Sequence, residues 1–180
     1  KSHTLFMSKR IIMIIKTGRK KAYFCMIEIK ELTTDEIADF WKEHIKYLIE
    51  DGLIKEQSEI EYYSGLNYHN TIESYMKEGI NKLHMVWFIK DGVKIGATQY
   101  KINKSGDGEC YILDFWVFPP YRGHNTGHEC FKALEDYTKI DGAIYYKLDS
   151  EKENSIRFWK SLGFVECGYT PEGDILFVRR

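Results

Sequence analysis

One segment, residues 113–128, combines side chains that could bind an anion with a carboxylate close by. Its sequence is LDFWVFPPYRGHNTGH, an apolar run that ends at two prolines and is followed by a turn containing Gly123 and Gly127. Small residues before a helix leave the backbone N–H groups of the helix N-terminus accessible, and these groups bind phosphates. Arg122 and His124 add positive charge beside the turn. The segment therefore favours a phosphate- or pyrophosphate-binding loop, although its spacing also fits an ordinary strand-to-helix turn.

Two other nucleotide-binding motifs do not fit this turn. A Walker A loop needs GxxxxGK followed by Ser or Thr, whereas Gly127 is followed by His128. A dinucleotide-binding GxGxxG is also absent, as is its position early in a βαβ unit. The loop is therefore not a nucleotide site of either kind.

The apolar run that precedes the turn contains one carboxylate, Asp114. A carboxylate in a buried strand is costly unless it is paired or solvated. The position therefore indicates either an open cleft or a buried pair with an arginine or a helix cap. Glu109, at the start of the same predicted strand, is a second candidate for a site, but a residue there is more often simply solvated.

The rest of the sequence predicts the elements that hold this segment in place. A capping box at Thr33–Glu36 precedes an apolar stripe from Ile37 to Ile49 that is typical of a helix. Further helices are expected over 57–79, with Asn70 or Thr71 as an internal cap, over 125–140 and over 154–162. Alternation and turn residues, including the hairpin signal Asp91-Gly92, predict strands over 26–32, 83–89, 93–102, 110–118, 143–148, 164–169 and 175–178. This order predicts an α/β fold (an α+β mixed sheet), a twisted mixed sheet with helices on both faces.

The composition is that of one compact globular domain. The chain has 180 residues, 43% hydrophobic and 29% charged, which excludes extended disorder, a collagen-like fibre and a bundle of membrane spans. Four cysteines without a CxxC pair and six histidines without HxH or HExxH spacing favour reduced thiols. We therefore expect a cytoplasmic protein without a structural metal.

Charge divides the chain into a basic N-terminal extension, residues 1–25, and an acidic domain, residues 26–180. The extension holds seven of the 26 basic residues and no acidic residue, which leaves 19 basic against 27 acidic residues and a net charge of −8 beyond it. An acidic domain suits a cationic substrate and is a poor partner for nucleic acid. The apolar run Ile11–Ile15 is too short to span a membrane. It fits an edge strand, a non-native extension or a membrane-surface segment, and Met7, Met13 and Met26 are alternative starts.

Two signatures in this order resemble the GCN5-related N-acetyltransferases (GNAT). Val117-x-Pro119-x-x-Arg122-Gly123-x-x-x-Gly127 is similar to the family's acetyl-coenzyme A motif, Q/R-x-x-G-x-G/A with an upstream V-x-P. Asn154-x-x-x-Phe158-Trp159-x-x-x-Gly163-Phe164 is similar to the second signature, N-x-x-x-x-F-Y-x-x-x-G-F, with the asparagine one residue nearer. The resemblance covers about residues 26–180 and implies the GNAT fold.

The resemblance also implies the residues that bind acetyl-CoA. The backbone of Phe115, Trp116 and Val117 would pair with the pantetheine arm, and one N–H there would polarise the thioester carbonyl. Asn154 would hydrogen-bond the cosubstrate, and Phe158 and Trp159 would line its other side. The loop that would wrap the pyrophosphate consists of Arg122, Gly123, His124, Asn125, Thr126, Gly127 and His128.

Two positions depart from the family pattern. Asn125 stands where the motif has glycine, and asparagine adopts a left-handed backbone more readily than most residues. Trp159 stands where the family commonly has the tyrosine that protonates the departing thiolate, and an indole is not a useful acid. Another group or water would then supply that proton, with Tyr145, Tyr146 and Tyr169 as candidates, or the thiolate would leave unaided.

On the acceptor side, residues 113–117 resemble the acidic strand of polyamine and aminoglycoside acetyltransferases. The resemblance makes Asp114, ahead of Glu109, the candidate carboxylate for a cationic amine and its deprotonation. Tyr62, Tyr63 and Tyr68 lie in the region that lines the acceptor site in this family. We therefore expect acetyl transfer to a primary amine of a small cationic molecule, with no nucleic-acid or membrane partner, no metal and a possible homodimer. The alternatives are a protein N-terminal or lysine acetyltransferase and a module that binds acyl-CoA or a peptide with little turnover.

Overall fold

The computed structural model describes residues 26–77 and 79–180, so the expectations for the N-terminal extension lie outside the described residues. The strands are β1 (Glu28–Glu31), β2 (Leu83–Lys90), β3 (Val93–Ile102), β4 (Glu109–Val117), β5 (Tyr145–Ser150), β6 (Val165–Tyr169) and β7 (Ile175–Arg179). The helices are α1 (Ile37–Glu50), α2 (Gln57–Ser64), α3 (Leu66–Tyr75), α4 (Thr126–Ile140) and α5 (Glu153–Ser161). None of the helices in these two ranges is long and apolar enough to cross a membrane.

The strands form one seven-stranded mixed sheet in the order β1-β2-β3-β4-β5-β7-β6. Neighbouring strands are antiparallel except β4 and β5, which run parallel. Their pairing begins at Glu109↔Tyr145 and ends at Tyr111↔Lys147, although both strands continue beyond it. The sheet therefore splays open between the second halves of β4 and β5.

A β-bulge at Leu113 changes which face of the sheet the end of β4 presents. Gln99 of β3 pairs with Asp114, and the next residue, Tyr100, pairs with Ile112, so Leu113 has no partner across the ladder. Side chains alternate between faces along a strand, and one extra residue reverses that alternation. The bulge therefore places Asp114 on the face opposite to that of Ile112.

Helices cover both faces of the sheet, as the sequence predicts. One face packs against α4 and α5 in a core that includes Phe88, Ile112, Phe131, Leu134 and Trp159. The other face packs against α1 in a smaller core formed by Phe40, Trp41, Leu83, Met85, Trp87, Ala97 and Trp116. Residues 112 and 116 thus contribute to opposite cores, which is the packing that the bulge requires.

The predicted helical region 57–79 is present as α2 and α3, but its internal break is in a different place and the second helix ends at Tyr75. The two helices are separated at Gly65, whose ψ of 143° is extended. A Cβ at Gly65 would lie 3.1 Å from the Glu61 carbonyl oxygen, so the chain turns where the side chain is smallest. Asn70 and Thr71, predicted as an internal cap, lie inside α3 instead, and the Thr71 hydroxyl donates to the Asn67 carbonyl at 2.8 Å.

The other predicted elements are present with ends that differ by one or two residues at most. The Asp91-Gly92 hairpin is confirmed, because both residues have the positive φ of a two-residue turn, 52° and 80°. The capping box is also confirmed: the Glu36 carboxylate accepts the Thr33 backbone N–H at 3.4 Å, at the start of a short 3₁₀ turn that leads into α1.

Candidate active site

A cavity of about 1200 Å³ lies where β4 and β5 diverge. Its walls are the second half of β4, the loop before α4, the end of β5 with the start of α5, and the C-terminal half of α1. Because β5 no longer pairs with β4 beyond Tyr111, the backbone edge of β4 along Phe115–Val117 faces this cavity. All three residues predicted to pair with the pantetheine arm therefore line the cavity.

The loop before α4 has an unusual backbone that suits anion binding. Three consecutive residues, Gly123, His124 and Asn125, have positive φ angles of 85°, 46° and 68°. The Gly123 carbonyl accepts the Thr126 N–H at 2.9 Å, which closes the loop at the start of α4. In residues 26–77 and 79–180, no partner engages the backbone N–H groups of Gly123, His124, Asn125, Gly127 and His128. These donors, at the positive end of a helix dipole, can bind phosphate oxygens.

Gly127 is required by the close approach of α4 to α5. A Cβ at Gly127 would lie 2.8 Å from Cε2 of Phe158, which is closer than carbon atoms can pack. The Phe158 ring in turn packs on Phe115 of β4, with 5.8 Å between ring centroids. This contact brings the first turn of α4, the side of β4 and α5 together around one end of the cavity.

Arg122 is anchored at both ends of its guanidinium group. Its Nε donates to the Val117 carbonyl at 2.7 Å, and its two terminal nitrogens donate to the Asp51 carboxylate at 2.8 and 2.9 Å. Lys152, just before α5, donates to the Asp51 carbonyl at 3.0 Å. The C-terminus of α1 is thereby linked to both loops that bound the cavity. No local sequence pattern marks Asp51 or Lys152, because both bonds join distant parts of the chain.

The remaining residues predicted for the cosubstrate differ in their placement. Asn154 lies in the first turn of α5 and lines the cavity, with its Oδ1 accepting from Arg157. His128 also lines it, with its Nε2 3.0 Å from the Ser161 hydroxyl, whereas His124 is exposed outside the lining. Trp159 is only 5% exposed, and its ring packs against Phe115, Phe131, Phe158 and Phe164.

Asp114 lies at the other end of the cavity and has several donors. His44 of α1 places its Nε2 3.0 Å from Asp114 Oδ2, and Gln99 donates to the same oxygen at 3.3 Å. The Thr98 hydroxyl donates to the Asp114 carbonyl at 2.6 Å. The sequence left two alternatives for Asp114, an open cleft or a buried pair with an arginine or a helix cap. The structure combines them: the carboxylate faces the cavity, and it is paired with a histidine. His44 was missed because it lies 70 residues away in the sequence.

Aromatic side chains surround Asp114. Tyr47, Tyr63 and Tyr68 line the cavity together with Trp116, whose ring stacks on Tyr47 at 4.9 Å. Burial, and next the nearby Asp114 carboxylate, raise the pKa of all three tyrosines above the usual range. Their hydroxyls therefore stay protonated at neutral pH. This end of the cavity offers one carboxylate among aromatic faces, the chemistry that binds an organic cation.

Several other sequence candidates lie away from the cavity. Glu109, at the opposite end of β4, accepts from the Tyr145 hydroxyl at 3.1 Å and is not among the residues that line the cavity. Tyr145, Tyr146 and Tyr169, the candidate proton donors, do not line it either, and Tyr62 is 63% exposed outside it. Within the described ranges no cluster of three His, Cys, Asp or Glu side chains is arranged to hold a metal.

Comparisons with known proteins agree with this geometry. A family model described as the acetyltransferase (GNAT) family matches residues 41–164. The PaiA N-acetyltransferase of Thermoplasma acidophilum, solved in complex with coenzyme A, is 17% identical, with a TM-score of 0.66 over 86% of this chain and 98% of that chain. An acetyltransferase of Streptococcus agalactiae is 18% identical, with a TM-score of 0.62 over 87% of this chain and 99% of that chain.

Naa50 of Arabidopsis thaliana, in complex with the bisubstrate analogue CoA-Ac-MVNAL, is 15% identical, with a TM-score of 0.56 over 86% of this chain and 98% of that chain. No curated protein sequence matches the chain. At these sequence identities the structural neighbours establish only the fold, and the match to the family model establishes membership of the family.

Proposed function

The chain belongs to the acetyltransferase (GNAT) family, and we propose that it transfers the acetyl group of acetyl-CoA to the primary amine of a small cationic molecule. One observation carries the proposal: β4 forms a continuous wall of the cavity, with the loop before α4 at one end and Asp114 at the other. The pyrophosphate of the acetyl donor would bind at the loop before α4, and a positively charged acceptor would bind at Asp114. Their reacting groups would then meet along the exposed edge of β4.

The loop before α4 fits the pyrophosphate of acetyl-CoA. Its unpartnered N–H groups supply several donors, and Gly127 adds no side chain to the first turn of α4, where Phe158 approaches closely. Asn125 departs from the family motif, but its φ of 68° lies in the region that asparagine tolerates. The loop therefore reaches a binding shape without the glycine. Arg122 would have to share its guanidinium between the Asp51 carboxylate and a phosphate.

The unpaired edge of β4 would hold the donor in place. Acetyl-CoA supplies the activated acetyl thioester, and backbone groups of Phe115–Val117 would pair with its pantetheine amides as a neighbouring strand would. A backbone N–H of this edge would polarise the thioester carbonyl, where negative charge develops during attack. Phe158 and Asn154 would close the opposite side.

Asp114 and its aromatic neighbours support a cationic acceptor. The carboxylate would bind the ammonium group, and the faces of Tyr63, Tyr68 and Trp116 would add cation–π contacts. The ammonium group gives up one proton to Asp114, directly or through water, and becomes nucleophilic. The amine nitrogen then forms the C–N bond and loses its second proton, the C–S bond breaks, and the sulfur leaves with the electron pair of that bond.

The proton balance of this reaction does not require a tyrosine at position 159. The nitrogen gives up two protons, one before it attacks and one as the amide forms. The departing sulfur takes one of them through Asp114 or water, and the other passes to solvent. Because Trp159 is packed among phenylalanine rings, the indole acts as a wall of the donor site and not as an acid. The reaction is then a direct transfer in a ternary complex, in which positioning supplies much of the acceleration.

The first experiment is isothermal titration with coenzyme A and acetyl-CoA. Saturable micromolar binding is expected, and no binding up to about 1 mM, weaker than roughly −4 kcal/mol, would contradict the proposal. A second assay detects free thiol with acetyl-CoA and polyamines, aminoglycosides, amino acids or a peptide with a free N-terminus. Turnover of the small cations supports the proposal, turnover of the peptide alone indicates a protein acceptor, and binding without turnover indicates a binding module.

A further inference from the structure

We propose that His44 is a positioning residue for the reaction: it fixes the carboxylate of Asp114 in the orientation that receives the acceptor amine. The inference rests on the proposed function, since it assigns a partner to the carboxylate of that same site. His44 lines the cavity beside Asp114, but its side chain is only 1% exposed and its Nε2 faces the carboxylate. It therefore acts through Asp114 and makes no step of its own with the substrate.

The two oxygens of the Asp114 carboxylate have different surroundings. Oδ2 is held by His44 Nε2 at 3.0 Å and by the Gln99 amide at 3.3 Å. In the described part of the chain Oδ1 has no hydrogen-bond partner, and it is not among the buried unpartnered atoms. Two donors on one oxygen fix the rotation of the carboxylate and leave the other oxygen available to an ammonium group.

Packing gives the imidazole one orientation. Its ring stacks with the aromatic rings of Phe40 and Tyr68, at centroid distances of 6.2 and 6.5 Å, and Trp41 lies edge-on at 5.6 Å. The other titratable groups that face it are Tyr47 on its own helix and His69 on α3. His69 is turned away, since its Nε2 bonds to the Tyr63 carbonyl at 2.9 Å. Asp114 is therefore the hydrogen-bond partner of His44 among these groups.

The hydrogen bonds also determine which nitrogen carries the proton. Nδ1 of His44 is buried without a partner, whereas Nε2 faces a carboxylate oxygen. A proton on Nδ1 alone would leave a buried N–H unpaired and would point the Nε2 lone pair at the lone pairs of Asp114. The proton of the neutral ring therefore sits on Nε2, and His44 is a donor to Asp114 and not a relay that takes the substrate proton onward.

Two variants of His44 separate this hydrogen bond from the shape of the ring. His44→Gln keeps an N–H donor at a similar reach, and His44→Phe keeps an aromatic ring without a donor. Losing one hydrogen bond to a charged group implies a fall of kcat/KM for the amine of about 10- to 100-fold in His44→Phe. His44→Gln should stay within about fivefold of the unaltered chain. The Kd for acetyl-CoA should be unchanged in both.

His84 provides a matched control. It is also buried, with its Nδ1 2.9 Å from a carboxylate oxygen of Glu31, and it does not line the cavity. His84→Phe should therefore lower Tm without lowering kcat/KM. If His44→Phe and His84→Phe lower Tm alike and neither changes kcat/KM beyond threefold, His44 is structural and the proposal is wrong.

A double-mutant cycle with Asp114→Asn tests whether His44 acts through Asp114. If it does, adding His44→Phe to Asp114→Asn should produce no further loss, whereas an independent role predicts that the two losses multiply. Nitrogen-15 NMR of the His44 ring gives a readout that needs no turnover. A proton on Nε2 that is lost or exchanges faster in Asp114→Asn supports the pair, and a proton on Nδ1 alone overturns it. If no amine is acetylated, the proposed function fails, but the NMR result still shows whether His44 donates to Asp114. The two failures can therefore be told apart.

Discussion

Replacing Gly127 by alanine tests whether the loop before α4 depends on its close contact with α5. The added Cβ would lie 2.8 Å from Cε2 and 3.2 Å from Cζ of Phe158. The ring cannot retreat freely, because Trp159 packs against it at 4.9 Å and His128 at 5.4 Å between centroids. Either the ring or the first turn of α4 must therefore move.

The magnitude follows from two opposing effects. Overpacking of this kind destabilises the folded state by about 1–3 kcal/mol. The higher helix propensity of alanine stabilises it by at most about 1 kcal/mol. A net loss of roughly 1–2 kcal/mol corresponds to a fall in Tm of about 2–8 °C for a chain of this size. Because the same turn carries the N–H donors of the loop, we expect affinity for coenzyme A to fall about 10-fold, a loss of roughly 1.4 kcal/mol.

Thermal unfolding and titration with coenzyme A measure these two effects. Phe158→Leu shortens the opposing side chain, so it should restore much of the affinity that Gly127→Ala loses. Gly123→Ala is the matched control: its φ of 85° strains an alanine, but nothing lies within 4 Å of the added Cβ. Phe158→Leu should not rescue Gly123→Ala. Unchanged Tm and affinity in Gly127→Ala, or equal rescue of both glycine variants, would refute the reasoning.

The remaining predictions concern three other contacts. Asp51→Asn weakens the ion pair with Arg122 and removes a negative charge beside the loop before α4. Titration should therefore show that coenzyme A binds several-fold more tightly. Weaker binding would contradict this and would show that the ion pair is needed to shape the loop. Trp159→Tyr should lower Tm, because the ring loses packing, and should leave kcat within about threefold, since no acid is needed there; a large gain in kcat would contradict this. Burial raises the pKa of Glu36, but ion pairs with Lys30 and Lys94 outweigh it and lower the pKa to about 2. The folded chain therefore holds Glu36 ionised below its ordinary pKa of 4.5, and the stability from these pairs is present above that pH and lost as the pH falls toward 2. Chemical denaturation between pH 6 and 3 should show a smaller loss of stability in Lys94→Met than in the unaltered chain.

Local patterns in the sequence predicted the features that local chemistry decides. The run from Val117 to Gly127 carries its own signals, prolines, glycines and a following apolar stripe, and the structure places it at the start of α4. The Asp91-Gly92 hairpin and the Thr33 cap were found for the same reason. The break in the helical region was predicted at Asn70 or Thr71 instead of Gly65, because the residues on both sides of Gly65 continue a helical pattern.

Contacts between distant residues account for what the sequence did not predict. The partners of Arg122 and Asp114, namely Asp51 and His44, lie 71 and 70 residues away from them in the sequence. The sequence shows Asp114 as an unusual carboxylate in an apolar strand. It predicts an arginine or a helix cap as the partner, whereas the partner in the structure is a histidine on α1. Only the folded arrangement of α1 across the sheet identifies that partner.

The bulge at Leu113 decides which chemistry the site can perform. With strict alternation, Asp114 would share a face with Cys110 and Ile112, which belong to the apolar core under α4 and α5. The extra residue turns the carboxylate to the other face, where His44 and Gln99 can reach it. The same shift turns Phe115 toward Phe158, so that the two rings pack together at the end of the cavity beside the loop before α4. One inserted residue thus separates Asp114 from the wall formed by Phe115 and Phe158 while keeping both on one strand beside the same cavity.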